Sequence, residues 1–296
     1  NGMLLDLAHD AMKNGSVMRA VYEQPALARQ DGLWMLNNKR WGRIGGVNGH
    51  GYNLTIGKDF LSDEHGYYGL LFDYGSNTVS GAAGSGEYDS YSLGLYAGNK
   101  NKPGSITGFV SYGLQANKGT AYLPVLGQTA ESDYDSKTLG IGVEYAYDLD
   151  YGKPEELWHV SPYARLNFNH YRQKAFREHG AGVFDRSFGS YSDNYAEGEL
   201  GLSFDRSEGT GGYGIRLGYK RILTGERQLM EVCFAEDECG SLLPVRSWGE
   251  GRNHFVAAAY VRHDFSRKWS AGGSLSGDWS NGGREIGARL DLAYHF

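Results

Sequence analysis

The last thirteen residues, Arg284 to Phe296, alternate without interruption. Ile286, Ala288, Leu290, Leu292, Tyr294 and Phe296 fall on one parity, and Glu285, Gly287, Arg289, Asp291, Ala293 and His295 on the other. A period of two belongs to a strand with one apolar and one mostly polar face. Such a strand fits the wet sheet of a soluble protein or the wall of a barrel. The remainder of the chain decides between them.

From about residue 32 the same pattern recurs. We read about twelve strands, near 32–43, 49–60, 66–77, 87–98, 104–116, 133–148, 158–171, 191–205, 212–223, 252–265, 268–280 and 284–296, separated by Gly, Asn, Asp and Ser clusters. Their lengths exceed the ~5–6 residues common in globular sheets and match the ~9–11 needed to cross a bilayer at a tilt. Connections alternate in length. Most are short, whereas 78–86, 117–132, 172–190 and 224–251 are long. Long loops at one rim and short turns at the other characterise membrane barrels. In the clear strands the charges sit opposite the apolar face, as Asp73 does against Leu70 and Phe72. A lipid-facing Arg or Lys near midplane costs ~2–4 kcal/mol, which sorts charges this way. A soluble sheet with one wet face also alternates. It leaves the aromatics near both strand ends unexplained, among them Tyr68 and Tyr74, Tyr213 and Tyr219, and Trp269 and Trp279. The expected fold is all-β, a transmembrane antiparallel β-barrel of about 12 strands with an N-terminal α-helix inside the pore. In 32–43 and 252–265 neither face prevails.

Composition agrees. The chain has 296 residues, 45 of them Gly, 22 Tyr and only 6 Pro. Mean hydropathy is −0.50, and no run approaches the ~20 apolar residues of a membrane helix. A barrel hides half its strand residues in a polar lumen, so its average looks soluble. The net charge of −6 and the lack of a basic stripe speak against nucleic acid. No signal peptide opens the chain, so a mature or excised piece is expected. The two cysteines, Cys233 and Cys239, lie in a polar loop. They suit a loop-closing disulfide in an oxidising compartment, ahead of free thiols or a metal site, since two Cys without His make a poor zinc signature.

Residues 3–21 read as a helix, with Met3, Leu4, Leu7, Ala8, Ala11, Met12, Met18 and Val21 forming a stripe. Asn14-Gly15 marks a C-cap or break, and Ser16 would cap a second short turn. The division expected is a helical plug or linker over 1–30 and a barrel over 31–296. Candidate pore-lining residues are Asp59, Asp73, Glu144, Glu197, Glu199, Asp278 and Asp291, with Arg165, Arg216, Lys220 and Arg289. Acids exceed bases, and the helix brings Lys13 and Arg19 to pair with them. The competing reading leaves the helix outside the lumen and the lumen charges pairing with one another.

A helical start, a twelve-stranded barrel and a terminal Phe together resemble the C-terminal translocator domain of the type V autotransporters. The local echoes are Gly51-Tyr52-Asn53-Leu54-Thr55-Ile56-Gly57-Lys58-Asp59-Phe60, Tyr91-Ser92-Leu93-Gly94-Leu95-Tyr96-Ala97, Val160-Ser161-Pro162-Tyr163-Ala164 and Leu290-Asp291-Leu292-Ala293-Tyr294-His295-Phe296. The resemblance implies a monomer in the outer-membrane lipid of a Gram-negative bacterium, exporting its own N-terminal passenger. It implies dealings with periplasmic chaperones and with the barrel-assembly machinery, for which Leu290, Leu292, Tyr294 and Phe296 would be the signal. It calls for no cofactor, metal or catalytic residue. Some members cut their own chain at an Asn in the pore. Asn14-Gly15 could serve, although a helix C-cap suits it better and the Asn-Asn junction of one self-cleaving subgroup is absent from the helix.

Other functions compete. A diffusion channel would leave the lumen open. An outer-membrane protease or lipase would need Ser92 or Ser203 with His170, or a pair such as His263 and Asp264, and no spacing supports a triad. A surface adhesin would bind through 224–251.

Overall fold

The computed structural model describes residues 2–13, 15–23, 32–61, 66–99, 103–151, 153, 158–234, 236 and 240–296. Two helices, α1 (Met3–Lys13) and α2 (Ser16–Tyr22), precede the strands. The strands are β1 (Gly32–Ile44), β2 (Val47–Leu61), β3 (Gly66–Gly81), β4 (Gly84–Asn99), β5 (Gly104–Leu123), β6 (Gln128–Tyr147), β7 (His159–Gln173), β8 (Phe176–Arg177), β9 (Arg186–Phe188), β10 (Tyr191–Glu208), β11 (Gly211–Thr224), β12 (Leu229–Phe234), β13 (Leu243–Arg246), β14 (Asn253–Asp264), β15 (Trp269–Ser280) and β16 (Gly283–His295).

Twelve of these close into an antiparallel barrel in the order β1-β16-β15-β14-β11-β10-β7-β6-β5-β4-β3-β2. The short strands β8, β9, β12 and β13 form a separate four-stranded sheet. They belong to the two connections 174–190 and 225–252, which share one rim, so this sheet caps that mouth. Closure joins the two ends of the barrel sequence, β1 and β16, with Gly32 opposite His295 and Ile44 opposite Gly283.

That seam settles the ambiguous first strand. Neighbours in an antiparallel ladder share a face. Leu33, Met35, Asn37, Lys39 and Trp41 lie opposite Tyr294, Leu292, Leu290, Ala288 and Ile286 and point outward. Trp34, Leu36, Asn38 and Arg40 are buried inside. In β14 the outward face is Phe255, Ala257, Ala259 and Val261. Its lumen face includes Val256 and Ala258, small apolar residues where other strands carry charge, which is why alternation was weak there.

The outer surface is an apolar band bounded by aromatic pairs. Phe60 stacks on Tyr68, Trp158 meets Tyr213, and Trp269 meets Tyr294 near one rim. Tyr74 with Tyr91 and Phe255 with Trp279 stand towards the other. Such girdles sit at the two membrane interfaces. Leu290 is 71% exposed at the outside of β16, where water would be unfavourable and lipid is not.

Two sequence expectations need correction. The connections expected at 78–86 and 117–132 are mostly strand. β3 runs on to Gly81, β4 starts at Gly84, β5 continues to Leu123 and β6 begins at Gln128. Above the membrane the outward face of these strands turns polar, as with Glu87, Lys118 and Asp133, while Val79, Tyr88 and Tyr134 pack towards α1 inside. The outward apolar stripe therefore stops while the backbone ladder persists. Only 174–190 and 225–252 are long connections at that rim. The helical segment expected over 3–21, with a C-cap or break at Asn14-Gly15, forms two helices, α1 and α2, but the cap of the second differs from expectation. Gly15 is the N-cap of α2, and Ser16 makes no capping hydrogen bond.

The helices fill the lumen. In α1 every residue from Met3 to Met12 is buried. Leu7 and Met12 are fully enclosed in a cluster that joins barrel residues Val79, Tyr88, Tyr171 and Ile222 to cap residues Phe188, Met230, Val232 and Val245. Lower down, Val17, Ala20, Val21 and Tyr22 of α2 pack against Trp34, Leu71, Tyr96 and Phe109. Gly119 makes room for this, because a Cβ there would lie 2.3 Å from a Leu4 methyl.

Candidate functional site

The chemistry of the lumen is a set of charge knots tying helices to wall. The first holds α1. The Arg40 guanidinium donates to both Asp10 oxygens, one at 2.8 Å, and to Asn77 Oδ1 at 2.8 Å. Tyr88 donates to Asp10 Oδ2 at 2.8 Å. Arg40 also reaches Glu285 at 3.2 Å. A forked guanidinium on a buried carboxylate is among the stronger polar contacts available.

A clasp from the cap completes this knot. Glu250, at the end of the 225–252 connection, is 1% exposed. It lies 2.9 Å from Lys13 Nζ and 3.3 Å from His9 Nε2. Burial would push its carboxyl up, but Lys13 and His9 beside it overcome that and hold it well below the usual range. Two residues earlier the Trp248 backbone N–H donates to Asp6 Oδ1 at 2.7 Å.

The second knot sits at the end of α2. Glu23 lies 3.2 Å from Arg165 and 3.7 Å from Arg289. Arg165 also pairs with Glu144 at 2.6 Å and Glu199 at 3.6 Å, and it stacks over the Tyr22 ring. Arg216 shares Glu144 at 3.3 Å. A third group lies on the wall alone, with Lys220 joining Asp278 and Glu197 while His254 bonds Asp278.

Each pore-lining residue expected from the sequence stands on the lumen face, but the partners differ from expectation. Among the described residues, Lys13 and Arg19 form no ion pair with the seven predicted acids. They turn to Glu250 and Glu285, with Arg19 3.7 Å from Glu285. Glu144, Glu197, Glu199 and Asp278 are taken by Arg165, Arg216 and Lys220 of the wall itself. Asp73 accepts from Ser16 at 2.8 Å, Thr55 at 2.6 Å and Asn53 at 3.1 Å. Asp59 accepts from Trp34 Nε1 at 3.1 Å and from the Tyr96 hydroxyl. Asp291 is buried beside Arg289.

Sequence reasoning missed Arg40, Glu285, Asp10, Glu23 and Glu250. Glu285 was on the polar parity of its strand and could have been included. Arg40 was hidden by the unclear parity of β1. The helix acids were overlooked because only its cations were sought, and nothing local marks a loop residue such as Glu250.

Beside α2 the fit is open. The helix packs on the β2, β4 and β5 side. Towards β14 and β15 a cavity of ≈ 80 Å³ remains, lined by Arg19, Glu23, Lys220 and Ser276, and another of ≈ 150 Å³ by Tyr22, Ser203, Asp205 and Arg289. Both are polar and roomy enough for water.

The terminal residues Leu290, Leu292, Tyr294 and Phe296 all lie on the outer face, and Lys58 stands 5.2 Å over the Phe296 ring. Cys233 is disulfide-bonded. Cys239 lies outside the described residues, as does Asn14 of the expected Asn14-Gly15 cleavage junction.

The comparisons with known proteins agree with this architecture. No curated protein matches the sequence. Among solved structures, the translocator domain of the autotransporter NalP from Neisseria meningitidis superposes with a TM-score of 0.78 at 19% identity, covering 98% of this chain and 97% of that one. The β-domain of the Bordetella autotransporter BrkA gives 0.68 at 15%, covering 90% and 100%. The transport unit of AIDA-I from Escherichia coli gives 0.60 at 11%, covering 98% and 99%. These likenesses establish the fold. The family model "Autotransporter beta-domain" matches residues 33–276. The chain therefore belongs to the autotransporter β-domain family, as an outer-membrane translocator domain that exports an N-terminal passenger to the cell surface.

Proposed function

We propose that residues 1–30 act as the plug of this translocator and that the knots around Arg40, Glu250 and Arg165 hold the plug after export. The observation that carries the proposal is the burial of α1 from Met3 to Met12 between the barrel wall and the cap. A buried ion pair is costly to form and costlier to break from one side. Acids and bases shared between helix and wall therefore fix where the helices stop. The predicted lumen charges that pair within the wall keep the polar faces of the strands satisfied when the lumen is empty.

The domain works without catalysis in this reading, as a monomer. His170 points outward while Ser92 and Ser203 point into the lumen, and His263 and Asp264 face opposite ways. The outward stripe Leu290, Leu292, Tyr294 and Phe296 is the feature that the barrel-assembly machinery and periplasmic chaperones read. A reporter fused upstream of residue 1 tests this in cells. The intact chain displays it to added protease, whereas removal of Phe296 together with Tyr294→Ala leaves it inaccessible and the barrel unfolded. Equal display by both would refute the assembly role.

A further inference from the structure

The outside of the barrel carries a feature that translocation does not use. The apolar stripe of β6 ends upward at Leu139, and the next outward residue is Lys137. Beside it a groove of ≈ 580 Å³ runs across β4 to β7. Tyr91, Tyr112 and Leu114 form its floor, and Lys137, Arg172 and Lys174 line its edge. Asp135 is the one acid among its lining residues.

The charge arrangement is unusual. Lys137 stands directly opposite Arg172 in the β6–β7 ladder. Like charges in that relation repel. Lys137, Arg172 and Lys174 are exposed, and among the described residues none of the three has an ion-pair partner. Lys118, further up the same wall, has acids as both ladder neighbours, Glu87 on β4 and Asp133 on β6. The Lys137–Arg172 pair, by contrast, stands at the upper edge of the apolar band.

The long connections mark this rim as the extracellular one, so the groove opens sideways into the outer leaflet. Two cations above an aromatic and aliphatic floor match a phosphate headgroup above an acyl chain. We propose that this groove binds a phosphorylated glycolipid of the outer leaflet, its phosphate between Lys137 and Arg172 and an acyl chain along Tyr112 and Leu114. The bound phosphate relieves the repulsion that the bare protein carries.

The test uses the purified full chain in detergent and reads its melting temperature with added lipid A. Lipid A raises the melting temperature, and the dephosphorylated lipid, an anionic glycerophospholipid or inorganic phosphate does so far less. The double variant K137A/R172A binds lipid A roughly tenfold or more weakly, given the attraction each cation adds near an anionic lipid. Lys118→Ala binds as the parent does. Arg172→Glu, which gives Lys137 a partner, keeps the barrel folded and loses the lipid, so it decides the matter if the double variant misfolds. An equal shift with inorganic phosphate or the dephosphorylated lipid, or unchanged binding in Arg172→Glu, overturns the proposal.

Discussion

The two helices share one lumen but are held in different ways. Every residue of α1 up to Met12 is buried, enclosed by wall and cap together. In α2 Met18 and Arg19 remain partly open, and polar cavities separate its far side from β14 and β15. Its end is fixed by the charges of Glu23 rather than by packing all round. The difference indicates a division of labour, in which α1 seals the extracellular half and α2 positions the chain on its way to β1. Hydrogen exchange of the helix amides resolves the two, because it reads local opening without unfolding the barrel.

The largest difference is expected for their arginine contacts. Arg40→Ala strands Asp10 in the interior and should lower α1 protection by ~3–5 kcal/mol. Arg19→Ala removes one 3.7 Å contact beside a wet cavity and should cost below ~1 kcal/mol. Equal effects would break the distinction. A smaller contrast is expected in packing. Leu7, with 0% exposure, should cost ~2–5 kcal/mol as Leu7→Ala. Val17→Ala, on the packed side of α2, should cost about 1–2 kcal/mol for its two lost methyl groups.

Much of the barrel was legible because lipid and water sort side chains at every second position. The outward stripe of β16 and the inward placing of Asp73, Arg165 and Lys220 follow from parity alone. Parity failed where that sorting stops. In β1 polar residues from Asn37 to Arg40 occupy both faces, and only pairing with β16 separates them. Above the membrane the outward face of β3 to β6 meets water and carries charge, while the inward face packs against α1. The helix contacts were the least legible part. Which acid meets Lys13 depends on Glu250 folding in from a loop more than two hundred residues away, and no local pattern encodes that.

The central claim is that α1 and α2 occlude the pore. Conductance in planar bilayers, compared between the full chain and the chain lacking residues 1–25, tests it most directly. The account predicts a nearly closed full chain and a sharp rise on deletion, with the barrel still folded. The same conductance in both would contradict it.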